Sequence, residues 1–560
     1  MLIVFEGIDG SGKTTLSNRV AQALRQAGLR VRHVREGGQL ASPVSESLRR
    51  FTRDPANLAL TPMAELLLYA AREAQLLEEV TRPALATHEL VITDRFFYTA
   101  EVLARWGRGM PESSVRPVLD ACAGGLTPDH VFWIDVDPTI ARARRKISKV
   151  LTPKPGAPSR KGLAGAGLQV RLRAGYRTLA SESPGRWSLV ENAGLPLDVL
   201  VTRLVQDILQ LRQGLPLPAS AAQAVPAPVL RSLGEAREHF LRRIDRWMDE
   251  EPALAAYHLA RFDGEEVEAR REQLATRCPE LVAYSLAGLV TPAAWKLRRQ
   301  LAEAAPVQTL GSLTDAAQGA PESWGLREGL LQRAPMEVAA SLQGLDSEPA
   351  WALRERLFFS AAENVVASLQ GLDSERAWAL RLRWLSDAGG QDALGLERVA
   401  RTACRSLKGL GSERAWQWRE RAWSAAPDAV LRSLEGLDSP RAWQLREEHV
   451  ARAPRAVLES LTGLEHPRAW ALRETFGAQC EEALNSIEGL EGGAAWGLRT
   501  ALADTWPSAA VRSLGPLETT ARGIAFTERL LSQHPDDFAL LRHSARCAPG
   551  PLPRFQHASA

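Results

Sequence analysis

Cysteine is scarce. The chain of 560 residues holds five, Cys122, Cys278, Cys404, Cys480 and Cys547, far apart in sequence. That scatter fits a reducing cytosol better than a disulfide framework or a metal site. The histidines show no ligand spacing. Long apolar runs are missing as well: nothing approaches the ~18 apolar residues of a membrane span, and the chain opens on what reads as a strand, with no basic-then-apolar leader. A cytoplasmic protein is the expectation. An excess of charge is also lacking, at +3 overall with 24% charged residues, so the whole-chain balance implies no membrane surface and no nucleic acid as partner. One local absence stands out: no acid lies between Asp137 and Glu182.

What is present begins at the N-terminus. The apolar run Leu2 to Phe5 reads as a buried strand feeding Gly7-Ile8-Asp9-Gly10-Ser11-Gly12-Lys13-Thr14, which fits the phosphate-loop pattern G-x-x-x-x-G-K-[ST]. A helix follows, with Leu16, Val20, Ala23, Leu24 and Ala27 on one face and Gly28 at its end. Glycines let backbone N–H groups close around phosphate oxygens, and the helix N-terminus adds partial positive charge. Residues Gly7 to Thr15 are therefore the candidate ATP-binding set, with Lys13 reaching the β/γ-phosphates and Thr14 holding Mg²⁺. Further strands are expected at Leu29 to Arg35, Leu90 to Thr93, His130 to Val136 and Trp187 to Val190, separated by helices, the last running from Leu197 to about Leu211. That alternation predicts an α/β domain with a parallel sheet over residues 1–213.

The acid-free segment carries Arg142, Arg144, Arg145, Lys146, Lys149, Lys154, Arg160, Lys161, Arg171, Arg173 and Arg177, interrupted by TPKPGAPSRKGLAGAG. It reads either as a solvated basic loop or as a lid that closes over ATP and brings an arginine to the transferring group. The phosphate loop has no basic residue before Lys13, so the lid must supply that arginine; Arg145 is the first candidate and Arg160 the second. Nucleic-acid binding is disfavoured, because no aromatic residue lies between Trp133 and Tyr176 to stack on bases.

Taken in order, FEGIDGSGKTT, Arg35-Glu36-Gly37-Gly38, LLLYAAREAQ, ITDRFFYT, Gly107-Arg108-Gly109, WIDVDP and Arg171-Leu172-Arg173 with Tyr176 resemble the thymidylate kinase family of P-loop nucleoside monophosphate kinases, over roughly Met1 to Gln213. The resemblance implies transfer of the γ-phosphoryl of ATP to the 5′-phosphate of dTMP, with Mg²⁺ bridging the phosphates. It implies that Arg35 and Arg95 grip the acceptor's phosphate, that Asp9 meets its sugar hydroxyl and that Asp94 sits behind the Mg²⁺ ligands. Lys13, Arg95, Arg145 and Asp9 are thus the catalytic candidates. Taken alone, Asp94 and Arg95 could equally be a structural ion pair at a strand end. The resemblance further implies a homodimer through this domain.

The chain departs from the family where the base is read. The pattern Phe-x-Ala-Asp-Arg is here Tyr69-Ala70-Ala71-Arg72-Glu73. Tyr69 can stack on a base, but the arginine stands one residue early, a rotation of about 100° on a helix. Arg72 is an acceptor-site candidate that does not simply inherit the role. Val102-Leu103-Ala104 replaces Ala-Tyr-Gln, and the lid's Asp-Arg-x-Glu signature is missing. The phosphate chemistry reads as intact and the base choice as altered.

Gly214 to Val229, free of charge and rich in Pro and Ala, reads as a linker. Beyond it, over 230–548, Ser-Leu-x-Gly-Leu or a variant begins at Ser285, Ser312, Ser341, Ser368, Ser406, Ser433, Ser460, Ser486 and Ser513, and His258-Leu259 falls one period earlier. The usual step is 27 residues; the 38-residue step from Ser368 to Ser406 holds an insertion around Asp387 to Leu396. Trp-x-Leu-Arg, or a near version, recurs at Trp295, Trp324, Trp351, Trp378, Trp416, Trp443, Trp470 and Trp496. Two short helices per unit, stacked into an all-α solenoid, bury the Trp and Leu positions. The repeated arginines bond carbonyls or acids of a neighbouring unit, or else line a concave binding face. No catalytic constellation occurs in this half, which is read as a surface for protein contact or regulation. Residues 549–560 form a tail. The rival to the kinase reading is an ATP-binding scaffold with a diverged, inactive or re-specified kinase domain.

Overall fold

The first strand carries no polar residue until Glu6 and is buried over its whole length, as a central strand must be. The computed structural model describes residues 1–36, 39–53, 60–151, 166–192, 195–217, 229–387 and 393–548. The linker's centre, the tail, the loop with Arg160, and Gly37-Gly38 lie outside them. Two units result, Met1–Pro226 and Ala227–Ala560.

In the first unit β1 (Leu2–Glu6), β2 (Val31–His33), β3 (Leu90–Asp94), β4 (His130–Asp135) and β5 (Trp187–Glu191) form one sheet in the order β2-β3-β1-β4-β5. Every pairing is parallel. The loop after β1 therefore opens at the carboxyl edge between its two neighbours, where open α/β sheets bind ligands. Helices Lys13–Gln26 and Leu197–Arg212 cover one face, sealing Leu16, Val20, Leu24, Leu200, Leu204 and Ile208 against Ile3, Phe5, Phe132 and Ile134. The helix Pro62–Leu76 passes through a π-helical turn, Leu77–Thr81, into Arg82–Thr87. Thr61 caps its start by accepting from the Ala64 N–H.

The second unit is helical throughout its described residues. Its units pair a helix beginning near Trp-x-Leu-Arg with a shorter one, most often led by proline, such as Pro440–His449 with Pro454–Ser460 and Pro467–Phe476 with Glu482–Asn485. The period is held by one bonding pattern. In each unit the arginine lies over the ring of its own tryptophan and is buried; Arg446 sits 4.8 Å from the Trp443 centroid. Its Nε donates to Ser460 Oγ (2.9 Å), and its terminal nitrogens donate to the carbonyls of Leu437 (2.7 Å), Leu434 (2.7 Å) and Ser460 (3.0 Å). Arg298, Arg354, Arg419, Arg473 and Arg499 repeat it. The arginines thus bond carbonyls and do not line an exposed binding face. Burial lowers the pKa of each to about 10. Gly436 and its counterparts take φ near +75°, closing the turn that offers those carbonyls.

The stacked array closes on itself. Each short helix packs on the next of its kind, from Pro252–His258 onwards, and the last helix, Phe538–Cys547, packs on the first long one, Leu233–Glu250. Arg542 donates to the carbonyls of His258 (3.1 Å) and Ala260 (2.6 Å), and Phe538 meets Phe240, Trp247 and His258. A solenoid needs polar caps at its ends; here the two apolar ends cover each other. In the interrupted unit the helix Ala393–Ser406 is longer than its counterparts, and Arg381 still reaches Ser406 (3.2 Å).

Candidate active site

The phosphate loop is shaped by what lies beneath it. Gly10 and Gly12 both have φ +92°, and a Cβ on Gly10 would collide with the Ala141 carbonyl, one on Gly12 with the Asn192 amide. Asn192 donates to the Ser11 carbonyl (2.6 Å), so β5's end braces the loop from below. Lys13 is buried and donates to the Ile8 carbonyl (2.8 Å), folding back over the loop. Burial, with Arg95 nearby, lowers its pKa to about 8, although Asp94, Asp9 and Glu6 oppose the shift. Thr15 is exposed at the helix start, and Ile8 is buried.

Thr14 donates its hydroxyl to Asp94 Oδ2. Burial would raise the Asp94 pKa, but Lys13, Arg95 and Arg35 outweigh it and hold the carboxylate ionised. Its other oxygen, Oδ1, and the Ser11 hydroxyl are buried without a partner among the described residues. A hydroxyl and a carboxylate oxygen left free next to a phosphate loop fit a hard, oxygen-seeking cation such as Mg²⁺.

Arg95, just past β3, has φ +81°, a strained conformation for a side-chain-bearing residue. It is over-determined by contacts: its guanidinium pairs with Asp9, donates to Thr99 Oγ1 (3.0 Å), and reaches the Gly7 carbonyl (3.3 Å). The acceptor-side candidate thus rests on the glycine-rich loop itself. Arg35 is buried and donates to the Asp94 carbonyl (2.7 Å). Arg145, on the helix Pro138–Leu151, packs its Cγ over Gly10, and its Nε has no partner among the described residues. Arg160 lies outside those residues.

At the altered base-reading position, Arg72 and Glu73 are both buried and bonded to each other (2.9 Å). Arg72 lies over the Tyr69 ring (4.5 Å), and Glu73 stands 4.0 Å from Arg35. Arg72 and Arg35 together outweigh the burial of Glu73 and keep it charged. All the acceptor candidates, Asp9, Arg35, Tyr69, Arg72 and Arg95, therefore belong to one connected polar region, with Glu73 as an added member.

Motif reading missed Glu6 and Gln169. Glu6 is fully buried and accepts from the Phe96 N–H (2.8 Å), Thr99 Oγ1 (2.8 Å) and Tyr176 Oη (3.0 Å). Burial pushes its pKa up, against the pull of Arg95. Gln169 accepts from the Asp9 N–H (3.2 Å). An available signal was the charge of Glu6 at the end of an apolar strand, and the i, i+4, i+7 spacing of Gln169, Arg173 and Tyr176 on a helix.

Residues 5–150 match the family model described as thymidylate kinase. A thymidylate kinase of Trichlorobacter lovleyi is 38% identical over 201 residues, covering 36% of this chain and 92% of that protein. One of Chlorobium chlorochromatii is 34% identical over 213 residues, covering 37% and 94%. A crystal structure of thymidylate kinase from Ehrlichia chaffeensis aligns at 25% identity over 38% of this chain and 98% of its own, with a TM-score of 0.29. No helix among the described residues is long and apolar enough to cross a membrane.

Proposed function

We propose, from the premise that the N-terminal domain belongs to the thymidylate kinase family, that this chain transfers the γ-phosphoryl of ATP to a nucleoside monophosphate, dTMP first among them. The observation that supports the reading is the seating of Arg95, the acceptor-side candidate, on Gly7 and Asp9 of the loop read as the ATP site. Transfer between two polyanions is a matter of positioning and of neutralising charge, and needs no covalent nucleophile from the protein.

In this mechanism the loop amides of Gly7 to Thr15 cradle the ATP phosphates. Lys13 leaves the Ile8 carbonyl for the β/γ-phosphates, where the added negative charge restores its full protonation. Arg35 and Arg95 hold the acceptor's phosphate, and Asp9 offers a carboxylate to its sugar. Arg145, with a free Nε above Gly10, is placed to follow charge developing on the transferred group. Thr14 and Asp94 would hold Mg²⁺, which when bound neutralises charge across the β- and γ-phosphates. The repeat unit, whose Trp-x-Leu-Arg arginines are internal, is assigned to protein contact or regulation, in the cytoplasm where ATP and nucleoside monophosphates are found.

ADP production by purified protein with ATP, Mg²⁺ and each nucleoside monophosphate in turn tests the reading. Acceptor-dependent turnover is expected, abolished in Lys13→Ala with the fold retained. One observation favours the second reading, an ATP-binding scaffold: Glu73 already neutralises Arg72 and stands beside Arg35, so the acceptor site is partly self-satisfied. ATP binding without turnover for any acceptor would establish that alternative.

A further inference from the structure

The helix Ala166–Glu182 touches the site at three points from one face. Gln169 accepts from the Asp9 N–H in the phosphate loop (3.2 Å). Arg173 donates twice to Asp135 at the end of β4 (2.8 and 2.7 Å). Tyr176 donates to Glu6 (3.0 Å) and lies 3.1 Å from Thr99 Oγ1, the hydroxyl that accepts from Arg95. The spacing 169, 173, 176 is what one helical face allows.

The contacts differ in character. The pairing of Arg173 with Asp135 joins the helix to the sheet and involves neither substrate group. Gln169 and Tyr176 instead bond to residues that in turn hold the two substrate sites: Asp9, in the donor loop, and the Glu6–Thr99–Arg95 cluster at the acceptor arginine. Glu6, Tyr176 and Gln169 are buried side chains, and the bond of Tyr176 to Glu6 is closed to water, which constrains its geometry. Tyr176 has no room for a charged form, since burial and the Glu6 carboxylate both raise its pKa. It stays a donor at any working pH. Gly175, next to it, lies against the indole of Trp106 so closely that a Cβ would collide, which leaves the helix little freedom to slide.

We propose that Gln169 and Tyr176 are positioning residues that couple the two substrates: the bond at Asp9 and the bond at Glu6 are made by one rigid helix, so seating phosphates in the loop sets the orientation of Arg95, and the reverse. The inference rests on the kinase reading for the identity of the ligands. Coupling of this kind is reciprocal, and its size is a ratio of affinities.

Binding of dTMP to the full chain is measured by calorimetry with and without Mg²⁺ and the non-hydrolysable β,γ-imido analogue of ATP. The wild type is expected to bind dTMP ~10-fold tighter with the analogue present, a typical coupling. In Tyr176→Phe, and independently in Gln169→Ala, that ratio is expected to fall about 3-fold, the remainder being carried by the direct contact of Arg95 with Asp9 and Gly7. A residue that only supports the fold would weaken both affinities and leave the ratio unchanged, and that outcome overturns the proposal. Should the wild type bind no acceptor, the kinase reading fails by itself, and the coupling is judged from the donor side. The analogue with Mg²⁺ should then slow amide exchange across Phe96 to Val102 in the wild type and clearly less in Tyr176→Phe. Equal protection in both, or none in the wild type, overturns it.

Discussion

Replacing Arg446 by methionine keeps most of the side-chain volume and removes every donor. The carbonyls of Leu434, Leu437 and Ser460 then lose their guanidinium partner in a site closed to water. At ~1–3 kcal/mol for each buried group left unsatisfied, the loss is roughly 3–9 kcal/mol. Against this stands the relief of no longer burying a cation. The depression of the guanidinium pKa to about 10 corresponds to ~3 kcal/mol of that penalty. The net destabilisation expected is up to ~6 kcal/mol and centred near ~3 kcal/mol, with lysine less damaging than methionine because it retains a donor. The assay is amide exchange on the full chain, read at Leu434 to Leu437 and at Ser460 to Leu464, alongside thermal unfolding. Arg452, exposed on the same unit, serves as control, and its alanine variant should change stability by ~0.5 kcal/mol or less. A loss in Arg446→Met no larger than in the Arg452 control, with amide exchange unchanged at Leu434 to Leu437 and at Ser460 to Leu464, would refute the claim that these arginines hold the repeat.

Three further outcomes are expected. Lys13, lowered to about 8 in the free protein, is about half protonated near pH 8, and phosphate charge must raise its pKa; ATP binding at pH 8 should draw in roughly half a proton, and almost none at pH 6, as read by calorimetry in buffers of different ionisation enthalpy. Proton release at pH 8 would contradict the assignment. Glu73→Gln removes the carboxylate between Arg72 and Arg35, and should lower the Kd of the acceptor, since Arg35 gains in attraction for phosphate, while costing ~3 kcal/mol or more of stability through the uncompensated buried arginines; unchanged acceptor binding would show that Glu73 does not restrain Arg35. Phe538→Ala should cost ~3–5 kcal/mol and expose amides in both Leu233–Glu250 and Phe538–Cys547, whereas an open array would fray at its C-terminal helix alone.

The strands, the phosphate loop and the 27-residue period were legible because each rests on local rules. An apolar run before G-x-x-x-x-G-K-T permits little else, and a serine or proline at a fixed place starts a helix wherever the chain goes next. Ser439 caps its helix by accepting from the Ala442 N–H, Pro440 follows in the first turn and Gly436 turns the chain at positive φ, each by a local rule. The repeated arginine was legible as a carbonyl binder in kind, but its depth was not: nothing local distinguishes a guanidinium on a concave face from one sealed beneath the next helix. Arg145 was singled out from the missing base in the glycine-rich loop, while Gln169 and Glu6 went unnoticed, because a glutamine in a helix and a glutamate ending a strand gain meaning only from partners 160 and 170 residues away.

By itself, then, the sequence determined the element types, the α/β order with its glycine-rich turn after β1, and a helical array of fixed period, all consequences of side-chain spacing and turn chemistry over a few residues. Tertiary structure alone decided that Arg95 would rest on Gly7 and Asp9, that Glu73 would take up Arg72 beside Arg35, and that Phe538 would return to Phe240 and Trp247 to close the array. The physical reason is the same in each case. Burial turns weak polar and apolar preferences into strict demands for partners, and those partners are supplied by segments that only the folded chain brings together.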